Sequence, residues 1–498
     1  MPHGDERARR WLERGAVVLV TLAVILPQAN PGPMLYDLGE LLLYTDAVVR
    51  GRLPGVDFVV NGYGPGRYVL LAALTTLGFS PLAAATFVFL ALRVALSLAL
   101  LSIGRRVLPG RWRFVPIALV LLAPGPMHKG FFLLGTAMLA WFGLRCLDAP
   151  PSDRDRRAIE LGACVGLVAL FRLDLGLFGA LLLLFLAAVG ARRGDPRALR
   201  QLLLASGPPA VVLLGLIGLF VGLGTLGPVL DQVLHDVLVN QRVPWPAFPT
   251  PAELLDDWRW SRGLLWLPAL VLLTTAALLV RHGTPATWLV LFLALLAQNQ
   301  VRMKPELGHL FQAGPLLWVA AAWLLARLPR PAGLALLGGL LAWLTAAIAV
   351  EHPRSPYVGS FTNAFVRSAH STPAGTLRMT AEEEADLAPV LAWLERQPPG
   401  DALWVPANEP LLYALSGRPD VVGVVGVLYV ADDPERQQDL LDRVERARPS
   451  LAVVRDSSME GPTRRLSVAA PSVWTYLDAT YVEAERIGDW SLRRRKVE

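Results

Sequence analysis

RYVLLAALTTLGF, residues 67–79, decides how this chain is threaded. The segment is mostly apolar, yet its 13 residues fall short of the ~20 that a helix needs to cross a bilayer. Arginine and lysine gather in cytoplasmic loops. If 67–79 were a crossing, the next loop, with Arg105, Arg106, Arg111 and Arg113, would face outward. The segment is therefore expected as an interfacial or re-entrant helix on the outer face.

With that choice every later loop falls into order. Spans are expected at 15–29, 82–104, 113–124, 130–147, 158–172, 175–191, 201–224, 263–281, 284–300, 307–327 and 331–350. Inside lie the N-terminus, 105–112, 148–157, 192–200, Arg281–His282 and Arg327–Arg330. Outside lie 30–81, 125–129, 173–174, 225–262, 301–306 and the chain after about 351. The third and fifth spans are short, which demands local thinning or burial in the bundle.

Runs such as AVVLVTLAVIL (16–26), ALRVALSLALLSIG (91–104) and LLLLFLAAVGA (181–191) carry the membrane reading. The chain is 54% hydrophobic and 18% charged, against about a quarter charged in soluble domains. No soluble core buries so many uninterrupted apolar stretches. The net charge of +6 is scattered among short loops, which fits orientation and anionic headgroups and argues against nucleic acid as a partner. Cys146 and Cys164 have neither metal-ligand spacing nor a disulfide pattern. Arg7, Arg9 and Arg10 before Ala16–Leu26 imitate a signal peptide, but no small-x-small cleavage pattern precedes Asn30, so the segment reads as a retained first span.

The tail reads differently. AEEEADLAPVLAWLERQ (381–397) and PERQQDLLDRVERARP (434–449) are amphipathic helices, and ALWVPAN (402–408) and LAVVRD (451–456) are short strands. Strands alternating with helices predict a small α/β domain with a partly parallel sheet. The expected fold is thus an α-helical polytopic membrane protein of about 11 transmembrane helices, with a small extracytoplasmic α/β domain at its C-terminal end. Its expected divisions are a transmembrane domain over 1–350, an irregular linker over 351–380 and the soluble domain over 381–498.

The outer loops collect the residues with chemistry. Asp37, Glu40, Asp46 and Asp57 fall in the first, and His128 and Lys129 in the second. Arg172 and Asp174 mark the third, and His235, Asp236, Arg242 and PWPAFPTP (244–251) fill the fourth. Arg302, Lys304, Glu306 and His309 surround the fifth.

YDLGELLLYTDAVVRGRLPGVDFVVNGYGPGRYVLLAALTTLGFSP, residues 36–81, resembles the first outer loop of the GT-C superfamily of membrane glycosyltransferases. The matching elements are Asp37 and Glu40 opening a helix, Gly51, Pro54, Asp57 and Phe58, then Tyr63, Pro65 and Gly66, closing at Gly78. FRLDLG (171–176), RMKPELGHL (302–310) and WVPANEPLLYALSGRP (404–419) resemble elements of bacterial members. Two features depart from the pattern. Gly55 and Val56 replace an aromatic before Asp57, and the second outer loop offers His128 and Lys129 where many members place an acid.

The resemblance implies sugar transfer from a polyprenyl-phosphate donor to a glycan, lipid or protein acceptor at the outer face of the plasma membrane. It makes Asp37 the first choice for general base and Glu40 the second; three residues apart, they share a helix face. Arg172, Arg302 and Lys304, with His309, would meet the charge of the departing phosphate. Asp57, Tyr63, Asp174 and Glu306 complete the expected substrate-binding set. No cofactor is called for, and a divalent metal stays open.

Each residue also has a plainer reading. Acids favour a first helical turn, Asp57 can cap its own turn, and Asp46 reads as surface. Arg172 and Asp174 can be an internal ion pair, and Arg302, Lys304 and His309 can contact headgroups. Trp11, Trp112, Trp258, Trp260 and Trp266 read as interface belt, with Trp245 a sugar or lipid contact. A transporter or flippase and a non-catalytic scaffold are the alternative functions. The chain lacks the clear internal repeat many transporters show.

Overall fold

Proline and threonine set several helix starts. Pro81 opens the Pro81–Val107 helix, and Pro285 follows Thr284, which with Thr287 completes a capping box. Proline suits a first helical turn because the N–H it lacks has no partner there. The computed structural model describes residues 3–28, 36–53, 57–58, 64–125, 129–242, 250, 260–303, 306–351, 368–424, 430–456 and 465–496. By contacts the chain forms two units, one of residues 1–29, 88–226 and 238–365, the other of 30–87, 227–237 and 366–498.

The first unit is a helical bundle. A helix occupies each of the 11 expected spans, but seven among the described residues are long and apolar enough to cross a membrane. The others fail for visible reasons. Val115–Leu122 and Pro285–Ala297 are short. His3–Ile25 and Arg154–Phe171 begin with runs of charge. The count of 11 spans is therefore not reproduced by length and composition alone.

Leu307–Leu325 is the central helix, with 83% of its apolar window buried inside the protein. Ala198–Gly222 and Arg330–Ala349 are equally suited to a membrane but only 6% and 17% buried. Apolar surface left bare by the protein is what a bilayer covers. Small residues bring helices close: a Cβ on Gly162 would meet the Ala205 carbonyl oxygen at 2.1 Å.

The second unit holds a four-stranded sheet of order β3-β4-β6-β5, from β3 (Leu403–Trp404), β4 (Leu451–Arg455), β5 (Tyr481–Ile487) and β6 (Trp490–Arg495). The β3–β4 pair is parallel and the others antiparallel, so the expected partly parallel sheet is present. Trp404, Val454, Leu477 and Tyr481 form its core with Leu440 and Val444 of the Pro434–Ala447 helix. β1 (Ser368–Thr372) and β2 (Gly375–Met379) pair as a hairpin inside the stretch read as irregular linker.

The described part of the segment between the first helix and Pro81–Val107 clusters with this unit. Its helices are Asp37–Val49 and Gly66–Thr76. The second has 11 residues, a rise of roughly 16 Å against a hydrocarbon core of ~30 Å. It is not a crossing by length. The Leu411–Ser416 helix packs on Asp37–Val49, and only a glycine fits beneath it. A Cβ on Gly39 would lie 2.1 Å from the Leu411 backbone nitrogen.

Candidate active site

Asp37 is the first residue of its helix and half-buried, whereas Glu40, one turn on, is 1% exposed. Burying a carboxylate demands compensation, and the neighbouring helix supplies it. Arg67 Nη2 donates to Glu40 Oε1 at 2.8 Å, and the Tyr68 hydroxyl donates to the same oxygen at 3.0 Å. The Arg67 guanidinium also lies over the Tyr68 ring, 4.5 Å from its centroid.

Tyr44 stacks on Phe58 at 4.5 Å and meets Tyr68 edge-on at 5.5 Å. Burial pushes the Tyr44 and Tyr68 phenols well above their ordinary range, so Tyr68 keeps its proton for Glu40. Glu40, Arg67, Tyr68 and Tyr44 thus lock the two loop helices together, and Asp37 opens the helix that carries Glu40.

Asp57 has a local task. Its Oδ2 accepts from the Leu53 N–H at 2.6 Å, and its carbonyl accepts from Arg52 at 2.7 Å. Arg52 also donates to the Asp420 carbonyl at 3.0 Å. Asp46 pairs with Arg50 at 2.8 Å on the exposed face. Tyr63 lies outside the described residues.

In the helical bundle, Arg172 has extended backbone between two helices, Arg154–Phe171 and Leu173–Arg192. Its guanidinium forks onto Asp174, Nε to Oδ1 at 3.0 Å and Nη2 to Oδ2 at 2.7 Å. It also lies over the Phe132 ring at 4.7 Å. Asp174 accepts in addition from the Leu175 N–H and from Gln300, which accepts in turn from buried Gln312. The two charges are held in one hydrogen-bonded network.

Glu306 and His309 are joined by a 2.7 Å hydrogen bond, and Arg302 Nε donates to Asn299 at 3.0 Å. Lys304, His128, Trp245 and Trp258 lie outside the described residues. Among the described residues no three His, Cys, Asp or Glu side chains gather as metal ligands.

Sequence reasoning passed over Arg67, Tyr68, Gln300, Gln312 and Arg93, the last a buried arginine inside a span that donates to the Gly125 carbonyl at 3.1 Å. For Arg93 and Gln312 the signal was polarity within an apolar run. It also passed over Glu409, buried beside the docked Leu411–Ser416 helix. Burial raises that carboxyl to about 8, against partial opposition from Arg455.

The helical bundle, the two helices Asp37–Val49 and Gly66–Thr76 and the small mixed sheet make up a fold that is shared with solved structures. The chain matches the crystal structure of ArnT from Cupriavidus metallidurans bound to undecaprenyl phosphate, with a TM-score of 0.59, 15% identity and 98% of both chains covered. It also matches the archaeal oligosaccharyltransferase AglB from Archaeoglobus fulgidus, in complex with an inhibitory peptide and a dolichol-phosphate. That TM-score is 0.54 at 12% identity, over 98% of this chain and 75% of that one. At such identities the likeness is one of fold. In sequence, no protein-family model and no curated protein matches the chain.

Proposed function

We propose that this protein is a glycosyltransferase that moves a sugar from a polyprenyl-phosphate donor to an acceptor at the outer face of the cell membrane. The full-length likeness to a transferase bound to undecaprenyl phosphate carries the reading. The first-loop geometry supports it.

In this reading the acceptor hydroxyl attacks the anomeric carbon and loses its proton to the Asp37 carboxylate. The bond from that carbon to the lipid phosphate breaks, the phosphate leaves with the electron pair, and the anomeric configuration inverts. Asp37 takes the base role because it opens the loop helix and is half-buried, whereas Glu40 is fully buried. Glu40 is committed to Arg67 and Tyr68 and serves as a positioning residue. The charge growing on the phosphate calls for arginine or lysine partners, while Arg172 and Asp174 hold the turn between their helices.

The test is release of free polyprenyl phosphate by the purified protein in nanodiscs, given a panel of polyprenyl-phosphate sugars and acceptors. Turnover by wild type and its loss in Asp37→Asn are expected. Full turnover in Asp37→Asn would remove that carboxylate from the mechanism.

A further inference from the structure

The helical bundle carries a second feature that the transferase reading leaves unused. Seven arginines face a cavity of ≈ 530 Å³. Arg9, Arg10 and Arg14 come from the first helix, Arg105 and Arg106 from the end of Pro81–Val107. Arg113 and Arg145 complete the set, and Glu6 and Glu13 are the carboxylates lining it.

The ion pairs leave positive charge over. Glu13 serves Arg105 at 2.6 Å and Arg113 at 2.5 Å, and Glu6 serves Arg10. Asp148 and Glu160 hold Arg106 and Arg145 at 2.9 and 3.1 Å. Arg14 has no carboxylate partner among the described residues and lies 5.5 Å over the Trp11 ring. Arginines therefore outnumber the carboxylates that reach them.

An apolar groove of ≈ 790 Å³ adjoins this cavity, lined by Gly15, Val18, Leu19, Leu98 and Met138. Arg14, Ser102 and Trp141 line both. The groove opens on the outside of the bundle, where Trp11 is 61% and Leu19 69% exposed. A bilayer lipid can enter it sideways without leaving the membrane.

We propose that the two together form a binding site for an anionic membrane phospholipid, its phosphate among the arginines and an acyl chain along the groove. Basic clusters between helices at the arginine-rich face of a membrane protein suit such headgroups, and arginine matches phosphate in geometry as well as charge. The site stands independently of the sugar-transfer reading.

Native mass spectrometry of the full chain, titrated with phosphatidylglycerol, phosphatidylcholine or undecaprenyl phosphate, tests it. One phosphatidylglycerol should bind saturably, with phosphatidylcholine at least tenfold weaker. Arg14→Ala should weaken phosphatidylglycerol by about fivefold. Gly15→Phe should weaken it with every charge retained, since a Cβ at Gly15 meets no protein atom within 4 Å. Arg193→Ala, an exposed arginine elsewhere, should leave binding unchanged. Equal uptake of the two phospholipids by wild type would overturn the proposal, as would unaltered binding in either site variant. Tighter binding of undecaprenyl phosphate at this site would overturn it as well.

Discussion

Leu411 sits on Gly39 with its backbone nitrogen 2.1 Å from where a Cβ would stand. The contact is backbone on backbone, so no side-chain rotation relieves it. Alanine is the better helix former by about 1 kcal/mol, but that gain is small against forcing two main chains apart. Gly39→Ala should destabilise the unit by about 1–3 kcal/mol and Gly39→Val by more, read as a lowered Tm in detergent. Sugar transfer should fall with it, because Asp37 is two residues away.

Asp37 and Glu40 should separate cleanly under substitution. Asp37→Asn is expected to lower turnover by ~10²–10⁴-fold with an unchanged Tm, as loss of a general base does. Glu40→Gln leaves Arg67, 2% exposed, as a buried charge without its carboxylate. Breaking such a pair costs about 3–5 kcal/mol, so Tm should fall first. Equal Tm loss in both variants would show that the two acids share a structural role.

Glu409 gives a pH signature. Burial lifts its carboxyl from 4.5 to about 8 in the fold, while the unfolded chain ionises it near the ordinary value. Between those two values the folded state binds the extra proton, so stability declines as pH rises from about 4.5 to about 8 and then levels. The full penalty is on the order of a few kcal/mol. Tm measured from pH 5 to 8.5 should fall more steeply for wild type than for Glu409→Gln, which should be the more stable at pH 8. Parallel profiles would show that Glu409 does not titrate in this window.

Arg172 and Asp174 should tolerate loss together better than loss singly. Arg172→Lys forfeits the two-pronged contact and should behave as a damaging change. A double-mutant cycle with Asp174→Asn on Tm should give a coupling of about 1–3 kcal/mol. Additive effects would mean the pair is incidental to the turn.

The arginine-rich loops and apolar runs made the helical bundle readable, because charge and hydrophobicity are local properties of the chain. The length of 67–79, with the arginines of the next loop, argued against a crossing. The β5–β6 hairpin was not readable. β5 buries Tyr481 and leaves Val482–Arg486 exposed, so its burial does not follow the apolar–polar alternation of Val482–Glu485. The neighbouring strand even buries Arg493, paired with Asp478 at 2.6 Å.

At the first loop, sequence pointed to Glu40 as an acid but gave no sign of its partners 27 and 28 residues on. Glycine 39 reads as a weak helix former until the Leu411 backbone is seen against it. These are pairings at long separation, which a single sequence states only through its fold.

The Gly39–Leu411 contact also fixes an order of events during synthesis. The helix bearing Asp37 leaves the ribosome early, yet its partner surface is made roughly 370 residues later, tens of seconds at typical elongation rates. Over that interval the loop waits without its seat. β6, which joins β4 to β5 in the middle of the sheet, is made later still. A ribosome that stalls before residue 411 would therefore release a membrane-inserted chain with an undocked Asp37 helix, so assembly of this acid's surroundings reports that translation has passed the tail.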